Sequence, residues 1–226
     1  MNVADKLSMI RTACVQFRGP DYCTDTVVQA IAAIARHETG FGEYKPFARP
    51  ATSSEPAWAS HNWGAMQCGA VADKNGRCPE NCFPAKDSSP VTGQYLGCFQ
   101  VHPDADTGAR ALVKLVTVSR PGIAAALPSG DAQKIATAMH EARYFEGFGA
   151  TVEVRIEGYA KALLRNAEIN ARQAGVPLLI SIPPPPPPPP PPTPEEYGLL
   201  VALGVAALAG LVRALLPPKT TPGDQP

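Results

Sequence analysis

The sequence predicts a mainly α domain, with α+β as the alternative, followed by a C-terminal transmembrane helix. Three observations carry this expectation. Apolar residues recur at helical spacing in several segments. Between them, from Gly40 to about Thr107, the period vanishes and Gly, Pro, Ser, Asn and Cys dominate, far beyond the usual connection of roughly 4–6 residues. Residues 198–216, GLLVALGVAALAGLVRALL, form an apolar run behind an unbroken proline run.

Taken in order, Asp5 to Cys14 suits a first short helix, ended by the turn signal at Arg18-Gly19-Pro20-Asp21. Thr24 or Asp25 can cap a second helix, in which Val27, Val28, Ile31, Ile34 and Ala35 repeat at helical spacing. Ala30, Ala32 and Ala33 permit close packing. In the aperiodic region, short strands are expected around Ala65-Met66 and Gly97–Val101. Helices resume at Thr107–Val118, at Asp131–Tyr144 with Asp131 as cap, and at Glu153–Ala174.

Cys14, Cys23, Cys68, Cys78, Cys82 and Cys98 all fall in this first part of the chain. Their even number and loop-rich setting predict disulfides in an oxidising compartment, with pairings that sequence alone leaves open. Zinc and free buried thiols are the rivals, but Cys78-x-x-x-Cys82 is not the CxxC knuckle of structural zinc. No metal and no cofactor are expected. The start, MNVADKLSMIRTACVQ, lacks the apolar core of a secretory signal. The C-terminal anchor, or carriage within a particle such as a phage virion, reconciles this with disulfides.

The expected layout is a folded domain over 1–175, a proline-rich spacer over 176–197, a transmembrane helix over 198–216 and a short polar tail over 217–226. Pro183–Pro192 lacks N–H donors and should form polyproline II, about 3.1 Å per residue, so roughly 30 Å of stiff spacer. Residues 198–216 reach about 28 Å as a helix, close to the bilayer core of about 30 Å. Arg213 and Lys219 on the far side favour a cytoplasmic tail, with the domain facing the periplasm or cell exterior. Membrane lipid is therefore an expected partner. Ala202, Ala206 and Gly210 share one face and suggest a weak homodimer through the membrane. A formal net charge of zero offers no basic stripe, so no nucleic-acid partner is expected.

The chemistry concentrates at ARHETGFG, residues 35–42. A helix that ends on Glu38 and breaks at Gly40 and Gly42 presents that carboxyl at a cleft rim. Phe41 could shield it, and a partly desolvated Glu has a raised pKa, which suits a general acid. His37-Glu38 lacks the second histidine of a zinc peptidase. Cys68 with His61 or His102 lacks the flanks of a nucleophile motif.

Glu38-Thr39-Gly40-Phe41-Gly42 resembles the Glu-Ser-Gly segment of the lysozyme-like superfamily, whose members include the bacterial and phage peptidoglycan glucosaminidases and lytic transglycosylases. Asn62-Trp63-Gly64-Ala65-Met66-Gln67 resembles its Gly-x-Met-Gln element. Gly97–Val101 with the helix that follows resembles the Phe-Arg-x-Tyr strand and helix, and the segments at Tyr144 and Tyr159 resemble the late tyrosine elements. These matches run in order over about residues 24–165. The resemblance implies a lysozyme-like helical domain that cleaves peptidoglycan. It implies Glu38 as catalytic acid, Tyr159 or Tyr144 as a positioning tyrosine, and Gln67, Met66, Trp63 and Phe99 along the glycan. Trp58 and Tyr95 are further candidates for stacking on sugars. Gln100 stands where the family carries a basic residue, His37 is an unusual neighbour, and the insert from Ala70 to Thr92 is rich in cysteine.

A hydrolase needs a second carboxylate. Glu43, Asp73, Glu80, Glu141 and Glu146 are the candidates. A lytic transglycosylase manages with Glu38 alone, because the substrate's acetamido group assists. The alternative to an enzyme is a non-catalytic, membrane-anchored cell-wall-binding or virion structural protein.

Overall fold

The computed structural model describes residues 1–89, 93–145, 147 and 149–184. Two capped helices open the domain. Asn2 accepts the Asp5 N–H and starts α1, Val3–Arg18, which Gly19 ends with φ 80°. The cap before Val3 and the absence of any breaker before Gly19 make α1 longer at both ends than the apolar spacing predicts. Thr24 caps α2, Asp25–Thr39. Val27 through Ala35 are all buried, so α2 is covered on every side over this stretch and runs through the centre of the domain, with Gln29 its one buried polar side chain there.

The remaining helices wrap it. Asp104 caps α3, Ala105–Lys114, which continues as a π turn over Leu115–Ser119. Pro121 then starts α4, Pro121–Ala126, followed by a 3₁₀ turn at Leu127–Ser129. The sequence predicts no helix at α4, because so short an Ala-rich segment carries no readable period. Asp131 caps α5, Ala132–Glu141, and Thr151 caps α6, Val152–Ala174. Ile31, Leu112, Val116, Ile135, Met139 and Leu163 meet in one core with almost no exposure.

The aperiodic region carries more strand than the sequence suggests, so the class is α+β. β1, Ala48–Arg49, pairs with β2, Trp58–Ala59. β3, Gln67–Val71, β4, Cys82–Ser89, and β5, Gly93–Gln100, form an antiparallel sheet in the order β3-β5-β4. Ala65-Met66 lies just ahead of β3, where the Met66 carbonyl accepts from Gln100 N–H at 2.9 Å. Pro84 argues against a central strand, yet β4 lies at the sheet edge, where a missing donor is tolerated. A small apolar cluster of Phe47, Ala85 and Phe99 backs the sheet.

All six cysteines are paired. Cys14–Cys23 ties α1 to the start of α2, Cys68–Cys82 joins β3 to β4, and Cys78–Cys98 fastens the intervening loop to β5.

Packing continues past Gly175, where the sequence places the start of the spacer. Ile180 is buried, Leu179 N–H donates to Gln29 Oε1 at 3.0 Å, and Gln29 Nε2 donates to the Pro177 carbonyl at 2.7 Å. Ser181 pairs with Asp131 in a parallel bridge. The compact unit therefore runs from Met1 to Pro183. Most of the expected spacer, the apolar segment 198–216 and the tail lie outside the described residues. Among the described residues no single helix is long and apolar enough to cross a membrane. Ala105–Ser119 and Pro121–Ser129 pass that test only together, are bent by 89°, and bury Leu112, Val116, Ile123 and Leu127 in the core.

Candidate active site

The break after α2 fixes where Glu38 points. Gly40 takes the left-handed conformation, φ 60°, and its N–H bonds back to the Arg36 carbonyl. Phe41 and Gly42 continue at φ 63° and 75°. Thr39 Oγ1 accepts from Gly42 N–H at 2.8 Å, closing the turn. Phe41 does not shield Glu38: its ring turns into the core against Trp63, centroids 5.1 Å apart.

Glu38 faces a cleft of about 630 Å³ with a helical wall and a sheet wall. On the helical side Tyr159, from α6, donates its hydroxyl to Glu38 Oε1. Phe145 stacks on the Tyr159 ring at 3.9 Å, and His37 meets it edge-on at 4.6 Å, so the phenol is held in place. Tyr144 donates to the Gly64 carbonyl at 2.9 Å, linking the end of α5 to the loop before β3. Burial beneath these rings pushes the Glu38 carboxyl up to about 7, against the Tyr159 hydrogen bond and with help from the charge of Asp87. Burial alone lowers His37. Burial and the Glu38 charge keep both tyrosines well above the usual phenol range, so they act as hydroxyl donors.

The sheet wall presents Gln67, Asp87 and Tyr95. Gln67 Nε2 donates to Asp87 Oδ2 at 2.7 Å, and Tyr95 Oη donates to the same oxygen at 2.8 Å. Gln67 Nε2 also donates to Tyr95 Oη at 2.9 Å, closing a triangle. Asp87 thus faces Glu38 across the cleft with a fixed orientation. Sequence reasoning missed it. Within β4, Phe83, Ala85 and Asp87 alternate onto one face, and the first two belong to the apolar cluster. A carboxylate continuing an apolar strand face was the available signal.

Of the residues singled out in the sequence, Glu38, Tyr159, Tyr144, Gln67, Phe99 and Tyr95 line this cleft. Trp63 is fully buried beside Phe41 and lends the cleft no surface. Met66 is half-buried outside the lining; its backbone is tied to Asn62, which accepts from Met66 N–H at 2.8 Å. Trp58 packs edge-on against Phe83. Glu43 pairs with Lys6 at 2.6 Å, Asp73 closes a loop by accepting from Asn75 and Arg77 N–H, and Glu80 and Glu141 are exposed outside the cleft. Glu146 lies outside the described residues. Among the described residues no group of His, Cys, Asp and Glu side chains is arranged to hold a metal ion.

Neither a protein-family model nor a curated protein sequence matches the chain. Among solved structures it is similar to a peptidoglycan hydrolase from Sphingomonas sp. A1, with 17% identity over 73% of this chain and 88% of that one, TM-score 0.46. It is also similar to the glycoside hydrolase domain of FlgJ from Salmonella typhimurium, with 18% identity over 77% and 92%, TM-score 0.44. The catalytic domain of the autolysin Auto from Listeria monocytogenes matches with 10% identity over 76% and 82%, TM-score 0.45.

Proposed function

We propose that this chain is a lysozyme-like muralytic enzyme that hydrolyses the β-1,4 glycosidic bonds of peptidoglycan, with Glu38 as general acid and Asp87 as the second carboxylate. The observation that carries this reading is the pair itself. One carboxyl still carries its proton in about half the molecules at neutrality, and opposite it an Asp carboxylate accepts hydrogen bonds from two fixed donors, in one open cleft. Glu38 protonates the leaving-group oxygen as the bond to the anomeric carbon breaks. Tyr159 orients the Glu38 carboxyl. Asp87, held by Gln67 and Tyr95, takes the proton of the attacking water. Tyr95 offers stacking surface for a sugar ring, and the buried Phe99 supports the apolar floor of the cleft. In this reading the apolar segment 198–216 anchors the chain in a membrane, with the domain facing the periplasm, the cell exterior or the outside of a membrane-associated virion.

The test is digestion of purified peptidoglycan by the full chain under oxidising conditions, with product masses read by mass spectrometry. The wild type releases products with reducing ends, and Glu38→Gln and Asp87→Asn each slow release by roughly 10²–10⁴-fold. Anhydro products insensitive to Asp87→Asn would replace the hydrolase with a transglycosylase that uses Glu38 alone. A folded chain that cleaves no wall type would leave a non-catalytic cell-wall-binding protein.

A further inference from the structure

The centre of the cleft carries the acidic pair, yet two arginines line the same cleft on its helical side. Arg120 stands between the π turn and α4, and Arg143 follows α5. Both side chains are exposed. Among the described residues neither guanidinium has an ion pair or a hydrogen-bond acceptor, whereas Arg11, Arg18, Arg36, Arg49 and Arg110 each have one. Arg143 also holds a left-handed backbone, φ 53°, which disfavours any residue with a Cβ. That conformation belongs to the turn closed by Arg143 N–H on the His140 carbonyl and Tyr144 N–H on the Met139 carbonyl, both at 2.9 Å. The strained turn therefore delivers Arg143 and Tyr144 to the cleft together. A guanidinium recognises a carboxylate through paired N–H donors. Two of them on one wall, with no partner among the described residues, form a receptor for an anionic part of the ligand.

We infer that Arg120 and Arg143 form an anion subsite that holds the carboxylates of the peptide arm borne by alternate sugars of the glycan, so that the cleft prefers strands carrying acidic arms to uncharged amino-sugar polymers. The inference rests on the glycan-cleaving reading of Glu38 and Asp87. The two kinds of charge then have separate roles. The sheet-side carboxylate serves the reaction, and the helix-side cations choose the substrate.

The experiment measures binding of the full chain, as Glu38→Gln so that nothing is consumed, to soluble uncrosslinked peptidoglycan strands. One strand sample is native, and in the other every carboxylate is capped as a neutral methylamide. Capping weakens binding about tenfold, the sum of two exposed charge pairs. Arg120→Gln with Arg143→Gln weakens binding to native strands by about the same factor and leaves binding to capped strands unchanged. Equal binding of native and capped strands overturns the subsite, as does an equal loss on both substrates in the double variant, or no binding at all. Cleavage by the chain with Glu38 intact is read in parallel. Carboxylate-dependent binding without cleavage keeps the subsite and removes the enzyme. Cleavage without carboxylate dependence keeps the enzyme and removes the subsite.

Discussion

The helical half and the sheet half of this domain are held together by different means. α2 is buried from Val27 through Ala35, and the core around it needs only the short Cys14–Cys23 bridge. The sheet is backed by a much smaller cluster, Phe47, Ala85 and Phe99 with Ala65 and Phe83 packed against them, and two disulfides staple its strands and loop. Glu38 stands on the half secured by packing, and Asp87 on the half secured by covalent bonds. A site made of both keeps its geometry only while both kinds of support hold, and the seam between them carries that geometry. Gly64 shows how tight the seam is: its carbonyl accepts from Tyr144, and an added Cβ would lie 2.9 Å from Leu112.

Breaking the seam has the largest expected effect. Gly108, in α3, sits so close to the His61 carbonyl that any Cβ would overlap its oxygen. Gly→Ala inside a helix ordinarily gains about 1 kcal/mol, but Gly108→Ala should lose about 3 kcal/mol or more. Gly158→Ala, with open space around it in α6, is the matched control and should gain about 0.5–1 kcal/mol. Denaturant midpoints of the two variants check the contrast.

Removing a staple comes next. Cys78 and Cys98 are separated by 20 residues, and their bridge contributes about 3 kcal/mol through the unfolded state. C78A/C98A should speed amide exchange across β3, β4 and β5 while leaving α2 and α6 protected. Uniform acceleration would show that the halves do not differ in the way described.

A smaller loss follows from releasing residues 176–183. Gln29, buried in α2, serves both the Pro177 carbonyl and the Leu179 N–H. Gln29→Ala leaves these groups without partners, lowers stability by about 1–3 kcal/mol, and should open this segment to limited proteolysis before the helices are cut.

The mildest effect is pH-dependent. Glu38 titrates at about 7 in the fold against an ordinary 4.5. Between those values the folded state keeps a proton that the unfolded state releases, so stability falls as pH rises through the window, and the full penalty is present above about 7. Glu38→Gln should therefore raise Tm at about pH 8 and leave it nearly unchanged at about pH 4. An equal rise at both would place the cause outside the carboxyl.

The same division explains what could be read from the sequence. Val27, Ile31 and Ile34 repeat with the helical period, and Thr24, Asp131 and Gly40 mark ends, so α2, α5 and α6 follow from local chemistry alone. Glu38 was legible because a helix terminus and two glycines bracket it. The sheet was not. Its strands are short, Pro84 interrupts one, and cross-strand partners such as Gln67 and Phe99 are far apart in sequence. Asp87 gains its meaning only through Gln67 and Tyr95, which register brings beside it. Trp63 shows the reverse error: the resemblance implies a side chain along the glycan, but the ring packs on Phe41 in the core.

The measurement that tests the central claim most directly is the pH dependence of kcat/KM on peptidoglycan strands, for the wild-type chain and for the residual activity of Asp87→Asn. With Glu38 as a general acid raised by burial and by the facing carboxylate, wild-type activity falls as pH rises through about 7. Removing the Asp87 charge moves that limb to lower pH. A wild-type profile flat through neutrality, or a limb that Asp87→Asn leaves in place, would contradict the pairing of Glu38 with Asp87.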